Sequence, residues 1–387
     1  MFFQAYGFIA VSLFVFQRRL KVISRGEIIM KMDIRVERTQ APKEKPGKGA
    51  DLPFGHVFTD HMLIMDYDAE KGWHDARIVP YGPLELYPGT MVFHYGQSSF
   101  EGLKAYYIDE NTIHLFRPEK NFERMNNSNS RLCIPELDPE EFTEYIIEAI
   151  KIEKDWIPKE EGKSLYIRPM IIATDENLGV HSSKTFKFVC MFCPVASYYE
   201  EGIKPVKIYV EHDFKRAVKG GTGFAKTAAN YAQSLKSQEE AEEAGYAQVL
   251  WLDAIERKYI EEVGSMNIMF VIDGTVVTPE LNGSILPGIT RASALELLRD
   301  KGYKVEERKI SIEELIEAAE NGKLDEAFGT GTAAVISPVG EILYNGKNYI
   351  INEGKIGPVA QDIYDTITKT QYGKIEDKYN WIRKIKI

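Results

Sequence analysis

Strands that arrive in hairpin clusters, separated by single helices, constrain this chain more than any other feature. Phe54 to Asp66 and Trp73 to Pro80 read as paired strands, with Tyr67-Asp68 and Lys71-Gly72 as turn residues between them. Asp273-Gly274, between Ile272 and Val276, is a dipeptide that favours a tight hairpin turn. Hairpins make antiparallel neighbours, so mixed α+β domains are expected in place of a doubly wound parallel sheet. Asp138-Pro139 supplies a cap and a first-turn proline for a helix running to about Asp155, with Phe142, Tyr145, Ile146 and Ala149 on one face. Further helices are expected from Asn230 to Glu243, Arg291 to Asp300, Ile312 to Asn321 and Pro358 to Thr368. Met91 to Tyr106 begins as a short helical pattern that breaks at Gly102 and gives way to a strand.

At 387 residues, 44% of them hydrophobic, the chain supports two cores. The expected division is an amino-terminal extension and arm over 1–50, a small α+β domain over 51–199, a linker over 200–206 around Glu200 to Pro205, and a larger domain over 207–387. A net charge of −10 without segregated basic residues excludes a nucleic-acid footprint. Met1 to Phe16 is apolar but short for a membrane span, and Arg18, Arg19 and Lys21 follow it where a secretory signal would place them before. It reads as an upstream extension, with the functional chain starting near Met30 or Met32 and no membrane partner. Cys133, Cys190 and Cys193 are too few and too odd in number for a disulfide framework, which fits a reducing cytoplasm. Cys190 and Cys193 match C-x-x-C, yet they lie in a buried strand pattern, and zinc would require more ligands than the sequence offers.

The chemistry centres on Gly220-Gly-Thr-Gly-Phe-Ala-Lys-Thr-Ala-Ala-Asn-Tyr231, which presents Lys226 from a glycine-rich turn with Tyr231 five residues on. Such a lysine either holds a phosphate as a point charge or attacks a carbonyl carbon to form a Schiff base. Gly220 to Thr227 misses the phosphate-loop pattern only at Ala225, and Val249 to Asp253 imitates an apolar strand ending in a magnesium-binding aspartate. Lys215 to Lys219, however, is too charged for the buried strand that should feed such a loop. The Schiff-base reading needs a phosphate cup, an acid for a pyridine nitrogen and a donor to a ring oxygen. Leu286-Pro-Gly-Ile-Thr290, opening a helix, offers the cup, with Arg124 and Thr332 to complete it. Glu262 is the candidate acid and Tyr231 the candidate ring-oxygen partner. Taken singly, each has a plainer reading: Arg124 as a surface ion pair, Glu262 as a turn carboxylate, Thr332 as a strand-end hydroxyl.

Eight blocks, from Phe58-Thr-Asp-His-Met62 and Phe100-Glu-Gly-Leu-Lys104 to Leu286-Pro-Gly-Ile-Thr-Arg291 and Gly329-Thr-Gly-Thr-Ala333, resemble the branched-chain aminotransferases. Those are pyridoxal-phosphate enzymes of the class IV fold type, and the likeness runs from about Phe54 to Trp381. The resemblance implies two mixed α/β domains with the cofactor, pyridoxal 5′-phosphate, at their interface, in a homodimer. It also implies that L-leucine, L-isoleucine and L-valine react with 2-oxoglutarate by a ping-pong mechanism. Lys226 would carry the cofactor and move the proton, Tyr231 would bond the ring oxygen, and Glu262 the ring nitrogen. Arg124, the amides of Ile289 and Thr290, and Thr332 would bind phosphate. The amides of Thr332 and Ala333, helped by Tyr95, would meet the α-carboxylate. Phe54, Phe100, Tyr166 and Tyr198 resemble the apolar side-chain pocket, and Arg168 the arginine that accepts the distal carboxylate of glutamate. Animal members carry a C-x-x-C pair where this chain has Ala334 and Ser337, so redox control of that kind is not expected.

Overall fold

The computed structural model describes residues 33–196 and 203–387. The expected extension over 1–32, the pocket candidate Tyr198 and residues 200–202 of the expected linker lie outside the described residues.

Two nine-stranded sheets form the scaffold. The first runs in the order Arg35–Val36, Gly72–Pro80, His61–Asp68, Phe186–Val195, Ser164–Ala173, Leu103–Asp109, Thr112–Phe116 and Ile382–Lys386, with Ser98–Phe100 also paired to Ser164–Ala173. Apart from the parallel edge strand Arg35–Val36, its pairings are antiparallel, as the hairpin pattern requires. Two helices, Pro118–Arg131 and Pro139–Ile152, follow in the chain. Asp138 caps the second by accepting from the Glu141 N–H at 2.9 Å. Its buried Phe142 meets Phe122 of the first helix and Phe188 of the sheet, with centroids 6.1 and 5.0 Å apart. These T-shaped and tilted ring contacts fill the space between helices and strands.

The second sheet runs Ile260–Val263, Gln248–Leu252, Val206–Val210, Val335–Tyr344, Leu324–Gly331, Met266–Ile272, Thr275–Thr278 and Val305–Glu307, with Lys347–Ile350 paired to Val335–Tyr344. Ile260–Val263 also pairs with Met266–Ile272, which closes part of the sheet on itself. Val206–Val210 and Gln248–Leu252 are parallel and joined through helix Ala228–Glu243. The segment that carries Lys226 is therefore a crossover loop after the carboxyl end of a strand, where open backbone and a helix start are both available to a ligand. Helix Ile312–Glu320 covers one face with Ile312, Leu315 and Ile316. Helices Ile289–Asp300 and Pro358–Gln371 cover another, in a cluster that also takes Tyr106, Phe116 and Trp381 from the first-sheet side.

Some boundaries depart from expectation. The helix at Met91 ends after Tyr95 because Gly96 takes the left-handed conformation at φ 60°, six positions before the expected break at Gly102. The last strand, Ile382–Lys386, returns to pair with Thr112–Phe116 of the first sheet, so the carboxyl terminus closes that sheet's edge.

Candidate active site

Lys226 is fixed by its backbone, and its amine bonds Tyr231. Thr222 Oγ1 donates to Asn230 Oδ1 at 2.7 Å, and Asn230 Nδ2 donates to the carbonyls of Thr222 and Ala225, each at 2.8 Å. Gly223 permits this knot by its lack of a side chain, since a Cβ there would lie 2.0 Å from the Ser284 carbonyl oxygen. From the first-sheet side, Ser128 Oγ accepts from the Lys226 N–H at 2.8 Å and the Phe100 N–H donates to the Lys226 carbonyl at 3.1 Å. Thr227 Oγ1 donates to the Ser98 carbonyl at 2.8 Å. The side chain therefore starts from a backbone held by its own turn and from the first-sheet side. Its Nζ lies 2.9 Å from the Tyr231 hydroxyl and 5.1 Å from the centroid of the Phe100 ring.

Glu262 lies on strand Ile260–Val263 and is buried. Its Oε1 accepts from the Leu286 N–H at 2.9 Å and from Asn267 Nδ2 at 3.1 Å, while Oε2 lies 2.9 Å from Arg216 Nε. Burial raises its carboxyl above the ordinary value, and the Arg216 guanidinium and the Leu286 N–H offset only part of that rise. Asn267 also donates to the Leu286 carbonyl at 2.9 Å, which ties the carboxylate to the turn that opens helix Ile289–Asp300.

That turn meets Arg124. The guanidinium donates through Nε and Nη2 to the two oxygens of Glu101, each at 2.8 Å, and through Nη1 to the Pro287 carbonyl at 3.2 Å. Asn121 Nδ2 donates to the same carboxylate at 2.8 Å. Burial works against the Glu101 charge, but the Arg124 charge and hydrogen bonds outweigh it and hold the carboxyl below the ordinary range. Ile289, Thr290 and Thr332 line one cavity together with Lys104 and Asn121. The first amides of a helix have no intrahelical acceptor, so the cavity faces donors and hydroxyls suited to an anion.

Thr332 and Ala333 occupy the tight turn between Leu324–Gly331 and Val335–Tyr344. Val335 takes φ 63°, which a β-branched side chain tolerates poorly. Its neighbours hold it there: the Ile336 N–H donates to the Ala334 carbonyl at 2.8 Å, and the half-buried Lys104 donates through Nζ to the Ala333 carbonyl at 2.7 Å. Opposite, Phe54 and Tyr166 meet edge to face at 4.7 Å. Arg168 Nη2 donates to the Tyr166 hydroxyl at 3.0 Å, and its guanidinium lies over the Phe100 ring at 4.9 Å.

The structure thus links Lys226 to Tyr231 and Phe100, Phe54 to Tyr166 and Arg168, and groups Ile289, Thr290 and Thr332 around one cavity. Tyr95 stands apart. It is exposed, and its hydroxyl donates to the Leu178 carbonyl. The phosphate-loop alternative has no support, because strand Val206–Val210 ends well before Gly220 and the Asp253 carboxylate accepts from the amides of Ile255, Glu256, Lys258 and Tyr259. Glu101, Arg216, Asn267, Ser128 and Lys104 were not found as site residues from sequence. Glu101 and Lys104 lie inside one of the resembling blocks, which was the only signal available for them; Arg216 had none.

The model of the family Amino-transferase class IV matches residues 98–342. Among curated proteins, the chain is 59% identical over 355 residues to branched-chain-amino-acid aminotransferase 2 of Bacillus subtilis strain 168, covering 92% of this chain and 98% of that one. Among solved structures it superimposes on the branched-chain amino acid aminotransferase of Escherichia coli with a TM-score of 0.70 and 28% identity, covering 84% of this chain and 98% of that one. It also superimposes on the T.th. branched-chain amino acid aminotransferase with pyridoxamine 5′-phosphate, with a TM-score of 0.69 and 28% identity, covering 83% and 97%. The fold is that of the class IV aminotransferases. Within that class, the chain belongs to the branched-chain-amino-acid aminotransferase family.

Proposed function

We propose that the chain transfers amino groups between L-leucine, L-isoleucine or L-valine and 2-oxoglutarate, by a ping-pong mechanism with pyridoxal 5′-phosphate as cofactor. The reading is carried by the Lys226 amine, 2.9 Å from the Tyr231 hydroxyl on a backbone anchored by Ser128. The residues present fit the cofactor. Glu262 is a buried carboxylate for the ring nitrogen and Tyr231 a hydroxyl for the ring oxygen. Arg124, the amides of Ile289 and Thr290, and the Thr332 hydroxyl make an anion cup. Gly288 leaves its wall thin, since a Cβ there would lie 2.0 Å from Asn267 Oδ1.

When bound, the cofactor supplies an electron sink conjugated to the substrate α-carbon. Lys226 Nζ takes the proton from that carbon and returns it on the other side of the reaction, with the Tyr231 hydroxyl steadying the amine between transfers. The Thr332 and Ala333 amides orient the α-carboxylate. Phe54, Phe100 and Tyr166 exclude water around an apolar side chain. Arg168 pairs with no carboxylate among the described residues, so its guanidinium is available to the distal carboxylate of glutamate or 2-oxoglutarate. An aliphatic substrate leaves it on the Tyr166 hydroxyl and the aromatic faces.

We assign a homodimer on the exposed Tyr87, Phe93, Tyr95, Leu178 and Val180, in two segments joined by the Met91 N–H to Asp175 carbonyl bond at 2.9 Å. In such a dimer Tyr95 would be delivered at the subunit boundary. The three cysteines are free, which suits a cytoplasmic location. The test is glutamate formation from L-leucine and 2-oxoglutarate by the purified protein, lost by about 10⁴-fold or more in Lys226→Ala. Preference for D-alanine over L-leucine, or turnover without Lys226, overturns the reading.

A further inference from the structure

Arg216 forms a buried junction between Glu262 and the Lys226 turn. It is 7% exposed, and its Nε, 2.9 Å from Glu262 Oε2, has no hydrogen bond to any other group among the described residues. The far end of its guanidinium is anchored on backbone: Nη2 donates to the Ser284 carbonyl and, at 3.4 Å, to the Gly223 carbonyl three residues before Lys226. Both carbonyls belong to the contact that Gly223 makes by lacking a side chain, where a Cβ would also lie 2.6 Å from Ala217 Cβ. The guanidinium cannot leave without breaking that packing.

The carboxylate it faces has two uncharged donors, the Leu286 N–H and Asn267 Nδ2, both on Oε1. On the same strand Glu261 adds a repelling charge, and Lys226 adds an attracting one that ranks below Arg216. A buried carboxyl with only neutral donors and a like charge beside it favours its protonated form. A permanent cation against Oε2 opposes that preference, because a guanidinium does not give up its proton.

We propose that Arg216 is a positioning residue for transamination, holding Glu262 as a carboxylate and thereby keeping the shared proton on the ring nitrogen of the bound cofactor. This rests on the pyridoxal-phosphate reading of the site. With Glu262 neutral, the proton sits on the carboxyl and the ring nitrogen only accepts a hydrogen bond. With Glu262 ionised, the nitrogen carries the proton and the ring draws electrons from the substrate α-carbon more strongly. Arg216 touches neither substrate nor reacting atoms in this scheme; it acts through Glu262.

The experiment compares the affinity of the apoprotein for pyridoxal phosphate with its affinity for the analogue in which carbon replaces the ring nitrogen. The analogue has no atom for the proton, so the affinity ratio reads the ion pair at Glu262 and not the phosphate cup. The wild type is expected to prefer pyridoxal phosphate, and Arg216→Met to reduce that preference by about tenfold or more. Arg216→Lys, which keeps a cation, is expected to retain most of it. An unchanged ratio in folded Arg216→Met overturns the proposal. Should that variant fail to fold, the nitrogen chemical shift of ¹⁵N-labelled cofactor in the wild type decides: a protonated nitrogen supports the proposal and a neutral one overturns it. Binding of neither compound to the wild type would remove the cofactor reading itself, a result distinct from an unchanged ratio.

Discussion

The Tyr166 hydroxyl occupies the space beside Gly102 that a side chain would need: a Cβ built on Gly102 would lie 2.1 Å from the oxygen and 2.9 Å from Cζ. Space, not backbone conformation, demands glycine here. The same hydroxyl accepts from Arg168, so Gly102 sets the position of both pocket residues. Gly102→Ala is expected to push Tyr166 outward, costing about 1–3 kcal/mol of stability and about tenfold or more in kcat/KM for both amino donors and acceptors. Steady-state kinetics and urea unfolding check it; an unaltered kcat/KM would mean that Tyr166 is not held by this contact.

Glu101 and Arg124 are both buried, and each is the other's principal partner. Removing the carboxylate in Glu101→Ala leaves a guanidinium without a counter-charge, at an expected cost of about 3–5 kcal/mol. The pair also carries a pH signature. Its folded-state carboxyl lies below the ordinary 4.5, so its contribution is present above that value and is lost as pH falls through the folded one. The unfolding free energies of wild type and Glu101→Gln should therefore converge as pH is lowered below 4.5. A constant difference would show that the pair does not titrate with folding.

Lys104 has the opposite signature. Burial pulls its ammonium from 10.5 down to about 8. Between those values the unfolded chain binds more protons than the folded one, so this group makes stability rise with pH in that window, by about 3 kcal/mol across it. Lys104→Met is expected to flatten the rise. Denaturant titrations from pH 7 to 10.5 measure it, and an equal slope in the two proteins refutes it.

Local signals were legible and long-range ones were not. Asp273-Gly274 reads as a hairpin turn, and both residues take positive φ, 49° and 72°, between Ile272 and Thr275. Asp138-Pro139 reads as a helix start and caps one. The spacing of Lys226 and Tyr231 works because the helix begins at Ala228, which brings Tyr231 back over the lysine on the first turn. Nothing local links Glu101 to Arg124 or Arg216 to Glu262, since each pair forms only when separate elements pack. Val335 is similar: no sequence rule puts a β-branched residue at φ 63°, and only the surrounding turn and Lys104 account for it. Ile382–Lys386 carries charges at three of five positions, which suits an edge strand but hides its pairing with Thr112–Phe116.

Arg168 provides the test of dual specificity. Its guanidinium stacks on Phe100 and Tyr166, at 4.9 and 5.3 Å from their centroids, and spends one donor on the Tyr166 hydroxyl. The aromatic faces keep the charge at the pocket wall, so an aliphatic side chain need not displace it. A distal carboxylate would gain a charge-assisted hydrogen bond at the same place. Arg168→Gln is therefore expected to raise KM for 2-oxoglutarate by about tenfold to a hundredfold, a loss of about 1.4–2.7 kcal/mol, while KM for L-leucine changes by less than about threefold. Equal rises for both substrates would make Arg168 a support for the pocket wall and not the discriminator.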